Sequence, residues 1–188
     1  RRIRPQAEAA KNRVSKTTSV HAVSHTAILD KPRDITSDRP DFSTCDFCDA
    51  YKNDSSGDFR VLPPVFRDFG AVLKFCGPVT TIKCFEANSL VKAAVDSPGF
   101  DDTPTGRVGR VLVVDGGASL RRALLGGNLG AAAARNGWAG VLVNGAVRDV
   151  AELAGHQTGI RALASMPLPT EKRNEGQRDV AVQIQGVW

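Results

Sequence analysis

The chain has 188 residues, 41% of them apolar, which is enough for one core of ordinary domain size and too few for two full domains. Its longest apolar runs, Val111 to Val114 and Ala131 to Ala134, fall far short of the ~20 residues a membrane-spanning helix needs, so no membrane span is expected. The net charge of +5 would suit a polyanion binder, but residues 1–29 hold six basic residues against Glu8 alone and the rest balances 19 basic with 19 acidic; the globular part carries no bias toward nucleic acid.

From Arg1 to about Phe42 the chain is polar, carries Pro5, Pro32 and Pro40 and shows no apolar period. It reads as a basic, largely extended N-terminal arm over 1–42, ahead of a single domain over 43–188. Rich in Arg, Ser and Thr and poor in acids, the arm fits three descriptions: the remnant of a transit segment, a disordered basic tail, or an arm docking on a larger, ribonucleoprotein-type assembly. The first would place the protein in a mitochondrion or other organelle, and otherwise it is expected in the cytoplasm.

Ser43 or Thr44 can cap a short helix through Tyr51, with Asp46 in the first turn where the helix dipole favours an acid, and Ser55-Ser56-Gly57 ends it. Residues 61–66 form a stiff Pro-containing connector. Residues 71–75 and 79–85 read as strands broken by the Gly77-Pro78 turn, and 88–94 as a helix. Residues 110–115 and 139–144 are β-branched runs bounded by glycine, the pattern of strands buried on both faces. Between them, 120–136 is Ala-rich and predicts a helix interrupted at Gly126-Gly127, and 160–164 supplies one more strand. Alternating strands, Gly-rich loops and helices predict an α/β layered fold. In such folds sites gather beyond the carboxyl ends of the strands, so Asp115-Gly-Gly and Asn144 to Asp149 are expected to face one cleft.

Four cysteines, Cys45, Cys48, Cys76 and Cys84, include one C-x-x-C pair, but the spacing of the other two does not supply a second zinc knuckle. Asp46 beside the pair argues against a lowered thiol pKa and a redox role, which leaves buried or half-buried reduced thiols as the expectation. His21, His25 and His156 stand apart, so neither a histidine metal cluster nor a histidine-based nucleophilic triad is expected. The backbone N–H groups of Gly126, Gly127 and the helix start at Asn128 can receive a carboxylate or phosphate, although a plain turn between helices fits as well. Arg148-Asp149 follows the second buried run, with Glu152 three residues on along the same helical face. Two such acids can hold a hard divalent cation directly or through water, and Arg148 can neutralise an oxyanion on a bound keto acid. A salt-bridged, acid-capped helix start accounts for the same residues without chemistry.

Several segments taken in order, Thr44-Cys-Asp-Phe-Cys-Asp-Ala-Tyr51, Leu62-Pro-Pro-Val-Phe-Arg-Asp-Phe-Gly70, Lys83-Cys-Phe-Glu-Ala-Asn-Ser-Leu90, the stretch from Arg110 to Ala123, and the stretch from Asn136 to Asp149, resemble the RraA-like family. That family includes metal-dependent 4-hydroxy-4-methyl-2-oxoglutarate aldolases and regulators of ribonuclease E activity. The resemblance runs from about Thr44 to Val187. It implies a layered β/β/α fold of the swivelling-domain type, assembled as a homotrimer with clefts between subunits.

For the aldolase branch it implies retro-aldol cleavage of 4-hydroxy-4-methyl-2-oxoglutarate or decarboxylation of oxaloacetate through a pyruvate enolate. The cofactor would be a divalent metal of the magnesium type. Asp149 would hold the metal with Glu152. Arg148 would meet the keto oxygen, and the amides of Gly126, Gly127, Asn128 and Leu129 would receive the pyruvyl carboxylate. For the other branch it implies a non-catalytic module that binds a ribonuclease or a larger organellar assembly. Two departures stand out. Gly127 occupies a position where many of the aldolases carry Asp, so that the pattern of Gly127, Arg148, Asp149 and Glu152 follows a variant with an extra acid. Relatives also continue past Gly186-Val187 with further strands, and those C-terminal strands are expected to be missing here.

Overall fold

The computed structural model describes residues 42–188. Phe42 excepted, the arm expected over 1–42 and the roles considered for it lie outside the described residues. Ser43 caps helix α1 (Thr44–Tyr51), its side chain accepting a hydrogen bond from the Cys45 N–H at 3.2 Å, as the sequence predicts. None of the residues of α1 is buried, and Phe47 and Tyr51 are exposed. After the connector comes a two-residue strand, β1 (Arg67–Asp68).

Residues 71–75 form no strand. The Phe69 N–H donates to the Ile160 carbonyl at 2.8 Å, Ala71 to His156 at 3.2 Å and Val72 to Thr158 at 3.4 Å, so the segment threads irregularly along the entry to a later strand instead of laddering. Gly70 permits this approach, because a Cβ there would lie 2.3 Å from the Thr158 carbonyl oxygen. Phe75 ends the segment with its ring over Gly140 and Gly159, where added Cβ atoms would meet it at 2.3 and 2.0 Å. Those two glycines are register partners on adjacent strands, and together they form a slot for one aromatic ring.

The remaining elements are β2 (Val79–Lys83), α2 (Ser89–Val95), β3 (Phe100–Thr103), β4 (Gly106–Gly109), β5 (Val111–Asp115), β6 (Ala123–Leu125), α3 (Gly127–Arg135), β7 (Gly140–Val147), α4 (Val150–Leu153), β8 (Gly159–Ser165) and β9 (Gln177–Arg178). The main sheet runs β1-β8-β7-β5-β2-β9, with β6 paired to β7 beside this path. Strands β2, β5, β7 and β8 are mutually parallel, as β-branched runs buried on both faces predict, and the short outer strands β1 and β9 are antiparallel to them. Hairpin β3–β4 forms a separate two-stranded sheet.

Residues 120–125 are not helical. Ala123-Leu124-Leu125 is fully buried and pairs with the far end of β7, so the helix begins only at Gly127. Burial and a free strand edge override the helical preference of a Leu- and Arg-rich segment. One apolar cluster joins Ile82, Leu112, Val114, Val141 and Val143 of the sheet with Val91 and Val95 of α2, Ala132 and Ala133 of α3 and Leu153 of α4. Trp138 seals it, buried, with its indole N–H donating to the Ser97 carbonyl at 3.2 Å and its ring filling the space beside Gly99. The result is the expected mixed α/β domain, helices layered on a sheet. Among the described residues no helix is long and apolar enough to cross a membrane.

Candidate active site

The carboxyl ends of β5 and β7 divide what the sequence joins. Asp115 and Asn144 are register partners and both are buried. The Asn144 amide donates to Asp115 Oδ1 at 3.1 Å, the Gly117 N–H donates to the same oxygen at 3.0 Å, and Gln185 donates to Asn144 Oδ1 at 2.8 Å. This network ties the end of β5 and the middle of β7 to the C-terminal segment. A cleft of about 470 Å³ opens beside it, lined by Lys83, Phe85, Asp115, Gly117, Arg173 and Glu175 among others. Arg148, Asp149 and Glu152 are not among its lining residues.

Those three residues gather instead on the first turn of α3. Strand β7 runs three residues beyond its predicted end, and the Arg148 N–H then donates to the Leu125 carbonyl at 2.9 Å, which brings the β7–α4 junction against the β6–α3 junction. Asp149 turns the chain in the left-handed region, φ 55° and ψ 45°, a conformation that Asp tolerates better than most residues. Its Oδ2 accepts from the Gly127 N–H at 3.1 Å and from Arg148 Nε at 3.1 Å. The Gly127 N–H, and after it Arg148, hold the Asp149 carboxyl below its ordinary pKa, so it stays ionised.

Gly127 is the point on which the acids converge. A Cβ added there would lie 1.9 Å from Glu152 Oε2, so the Glu152 carboxylate occupies the space a side chain at 127 would need. Arg148 lies across Gly126, where an added Cβ would meet its Cγ at 2.9 Å. Of the four amides expected to receive a carboxylate, Gly127 already donates to Asp149 and Leu129 donates to the Gly126 carbonyl at 3.0 Å; the Gly126 and Asn128 amides stand outside these two bonds. His156, four residues past Glu152, places Nε2 3.1 Å from the Gly127 carbonyl oxygen. In the sequence this histidine stands apart from the other two, although Asp149, Glu152 and His156 fall three and then four residues apart.

The family model for RraA-like proteins, described as Aldolase/RraA, matches residues 44–188. The chain belongs to the RraA-like family. A relative from Albidiferax ferrireducens is 77% identical over 149 residues, 79% of this chain and 86% of its own. A second, from Burkholderia multivorans, is 51% identical over 146 residues, 77% of this chain and 84% of its own. Both bear the name 4-hydroxy-4-methyl-2-oxoglutarate aldolase in a provisional form. Among solved structures, the RNA-processing inhibitor RraA from Thermus thermophilis is similar, with a TM-score of 0.70 and 42% identity over 79% of this chain and 82% of that one. A Geobacillus kaustophilus protein described as an S-adenosylmethionine: 2-dimethylmenaquinone methyltransferase is 36% identical, with a TM-score of 0.66 over 78% of this chain and 83% of that one. The fold expected of an RraA-like protein is therefore the fold present.

The cysteines of this RraA-like chain are free, but two depart from expectation: Cys45 and Cys76 are exposed, Cys48 is half-buried and Cys84 alone is buried. Cys45 rides on a helix that packs nothing into the core, and Cys76 follows the Phe75 slot on the irregular segment. Burial, and then the nearby Asp115 charge, push the Cys84 thiol up to about 11. No group of three His, Cys, Asp or Glu side chains arranged for a metal occurs among the described residues.

Proposed function

We propose that this chain is a class II aldolase of 4-hydroxy-4-methyl-2-oxoglutarate that also decarboxylates oxaloacetate. The observation that carries the reading is the convergence of Asp149 and Glu152 on Gly127, beside the guanidinium of Arg148 and the open amides of a helix N-terminus. Both reactions break the C3–C4 bond of a 2-oxo acid, one carbon removed from the keto group, and leave its electron pair in the pyruvate enolate, so both need cationic or dipolar groups at the keto oxygen and at the carboxylate.

The residues fit a hard divalent cation. Asp149 spends only Oδ2 on Gly127 and Arg148, and Glu152 brings a second carboxylate to the same glycine; two carboxylates completed by water and substrate oxygens suit a magnesium-type ion. When bound there, such an ion would supply Lewis-acid polarisation of the keto oxygen. The chain's own groups do the rest. The Gly126 and Asn128 amides, at the positive end of α3, bind the pyruvyl carboxylate. Arg148 is oriented by the bond from its Nε to Asp149, and its terminal nitrogens neutralise the charge that develops on the keto oxygen. We place these subunits in a homotrimer, the assembly that the family resemblance implies.

The test is oxaloacetate decarboxylation by the purified chain with magnesium, after chelation, and with Asp149→Asn. Turnover that requires both the ion and Asp149 is expected, with a loss of about a hundredfold or more in the variant, since removing a group that stabilises developing charge costs on that order. Full turnover by Asp149→Asn would remove this residue from the site. The similarity to the Thermus RNA-processing inhibitor favours a second reading, a non-catalytic module that binds a ribonuclease. A folded oligomer without turnover that slows ribonuclease E in a cleavage assay would establish it.

A further inference from the structure

Gly127 is held at three points by side chains from one short stretch of chain. Its N–H donates to Asp149 Oδ2 at 3.1 Å, its missing side chain leaves room for Glu152, and its carbonyl oxygen faces His156 Nε2 at 3.1 Å. A carbonyl oxygen can only accept, so this contact is a hydrogen bond when Nε2 carries the proton, which selects one tautomer of the neutral ring. The imidazole is also seated by shape. A Cβ on Gly130, one turn further along α3, would lie 2.9 Å from His156 Cδ2 and 2.6 Å from Leu153 Cδ2, so the absence of a side chain at 130 admits the ring. The backbone of His156 is fixed as well, its carbonyl accepting from the N–H groups of Ala71 at 3.2 Å and Thr158 at 2.8 Å.

We propose that His156 is a positioning residue of the candidate site: by donating from Nε2 to the Gly127 carbonyl, it fixes the peptide planes of the first turn of α3, so that the Gly127 N–H stays on Asp149 and the neighbouring amides stay aimed at an incoming carboxylate. The functional half of this statement rests on the aldolase reading, and the structural half stands without it. His156 makes its side-chain hydrogen bond to the Gly127 carbonyl, and so acts on the site through the backbone of α3. Without its hydrogen bond, the first turn of a helix that starts at two glycines, and whose N-cap residue Gly126 has no side chain to cap it, has one fewer restraint against fraying.

The experiment compares wild type with His156→Gln, whose terminal amide can donate from nearly the same place, and His156→Leu, which keeps bulk and loses the donor. All three are checked first by thermal melt. Two-dimensional NMR of the ring nitrogens should show the Nε2-protonated tautomer in wild type, and hydrogen exchange at the Gly127 amide should be faster in His156→Leu by about five- to tenfold, the loss of one neutral hydrogen bond. In the oxaloacetate assay, KM should rise by a similar factor in His156→Leu with kcat nearly unchanged, as expected when carboxylate binding weakens in ground and transition state alike, and His156→Gln should recover most of it. An Nδ1-protonated ring, or equal behaviour of the Leu and Gln variants in both exchange and KM, overturns the proposal. If wild type shows no turnover, the aldolase reading fails alone, and the tautomer and the Gly127 exchange still decide the positioning role.

Discussion

The stretch from Ala123 to His156 and the stretch from Met166 to Trp188 are both parts of one family domain, yet they are built differently. In the first, three strand or helix junctions meet, β6 and most of β7 are buried, and Arg148, Asp149 and His156 each have a hydrogen-bond partner at the site. The second contributes only the two-residue β9, isolated bridges and one buried apolar side chain, Ile184. Yet it reaches back to the first through Gln185, whose amide donates to Asn144. Regular structure and burial are therefore concentrated where the candidate chemistry sits, and the later segment clasps the sheet by a few polar contacts.

The sharpest way to break this contrast is in the buried stretch. Leu125→Ala removes a fully buried side chain behind Gly126 and should cost about 2–5 kcal/mol, read as a drop in the denaturant midpoint; a cost below about 1 kcal/mol would show that β6 is not part of the core. Next in size is Gly127→Ala, whose Cβ has no room while the Glu152 carboxylate is in place. It should lower turnover by tenfold or more by displacing that acid, and the double variant with Glu152→Ala should relieve the clash without restoring turnover. An active Gly127→Ala would mean that Glu152 can move aside without consequence for the site.

A smaller effect is expected from acid. Because the Gly127 N–H, and then Arg148, depress the folded pKa of Asp149, its contribution to stability is present in full above about pH 4, the ordinary carboxylate range, and is lost as pH falls through the lowered folded value. The gap in thermal midpoint between wild type and Asp149→Asn should close on acidification below that range; a gap constant with pH would assign it to geometry alone. At the small end, Trp188→Ser and Phe47→Ser alter exposed side chains and should move stability by no more than about 0.5 kcal/mol. A thiol reagent should label Cys45 and Cys76 first and Cys84 last, since Cys84 is buried and its thiol is held protonated.

The parallel core was legible because its strands are made of Val, Ile and Leu in short runs bounded by glycine, and burial on both faces leaves that signature in the sequence. The errors lie where long-range packing decided the outcome. Leu120 to Leu125 carries helical residues but lies against the open edge of β7, and 71–75 carries apolar residues whose place is set by Thr158 and Ile160, far away in sequence. Hairpin β3–β4 was invisible because Asp101, Asp102 and Pro104 dominate its composition. In the candidate site, Arg148, Asp149 and Glu152 stand out by their place after the second buried run and their spacing, and the family resemblance gives them their roles. His156 does not stand out, since its partner is a backbone carbonyl of Gly127, and backbone acceptors leave no mark on a sequence.

The slot that Gly140 and Gly159 open for Phe75 gives one ring the work of two absent side chains. Shape there is specified by subtraction, so no larger residue can be added to either strand without evicting the ring, and no smaller residue at 75 can fill both vacancies. The entry to β7 and β8 is thus keyed to a single aromatic side chain carried by a segment with no regular structure of its own.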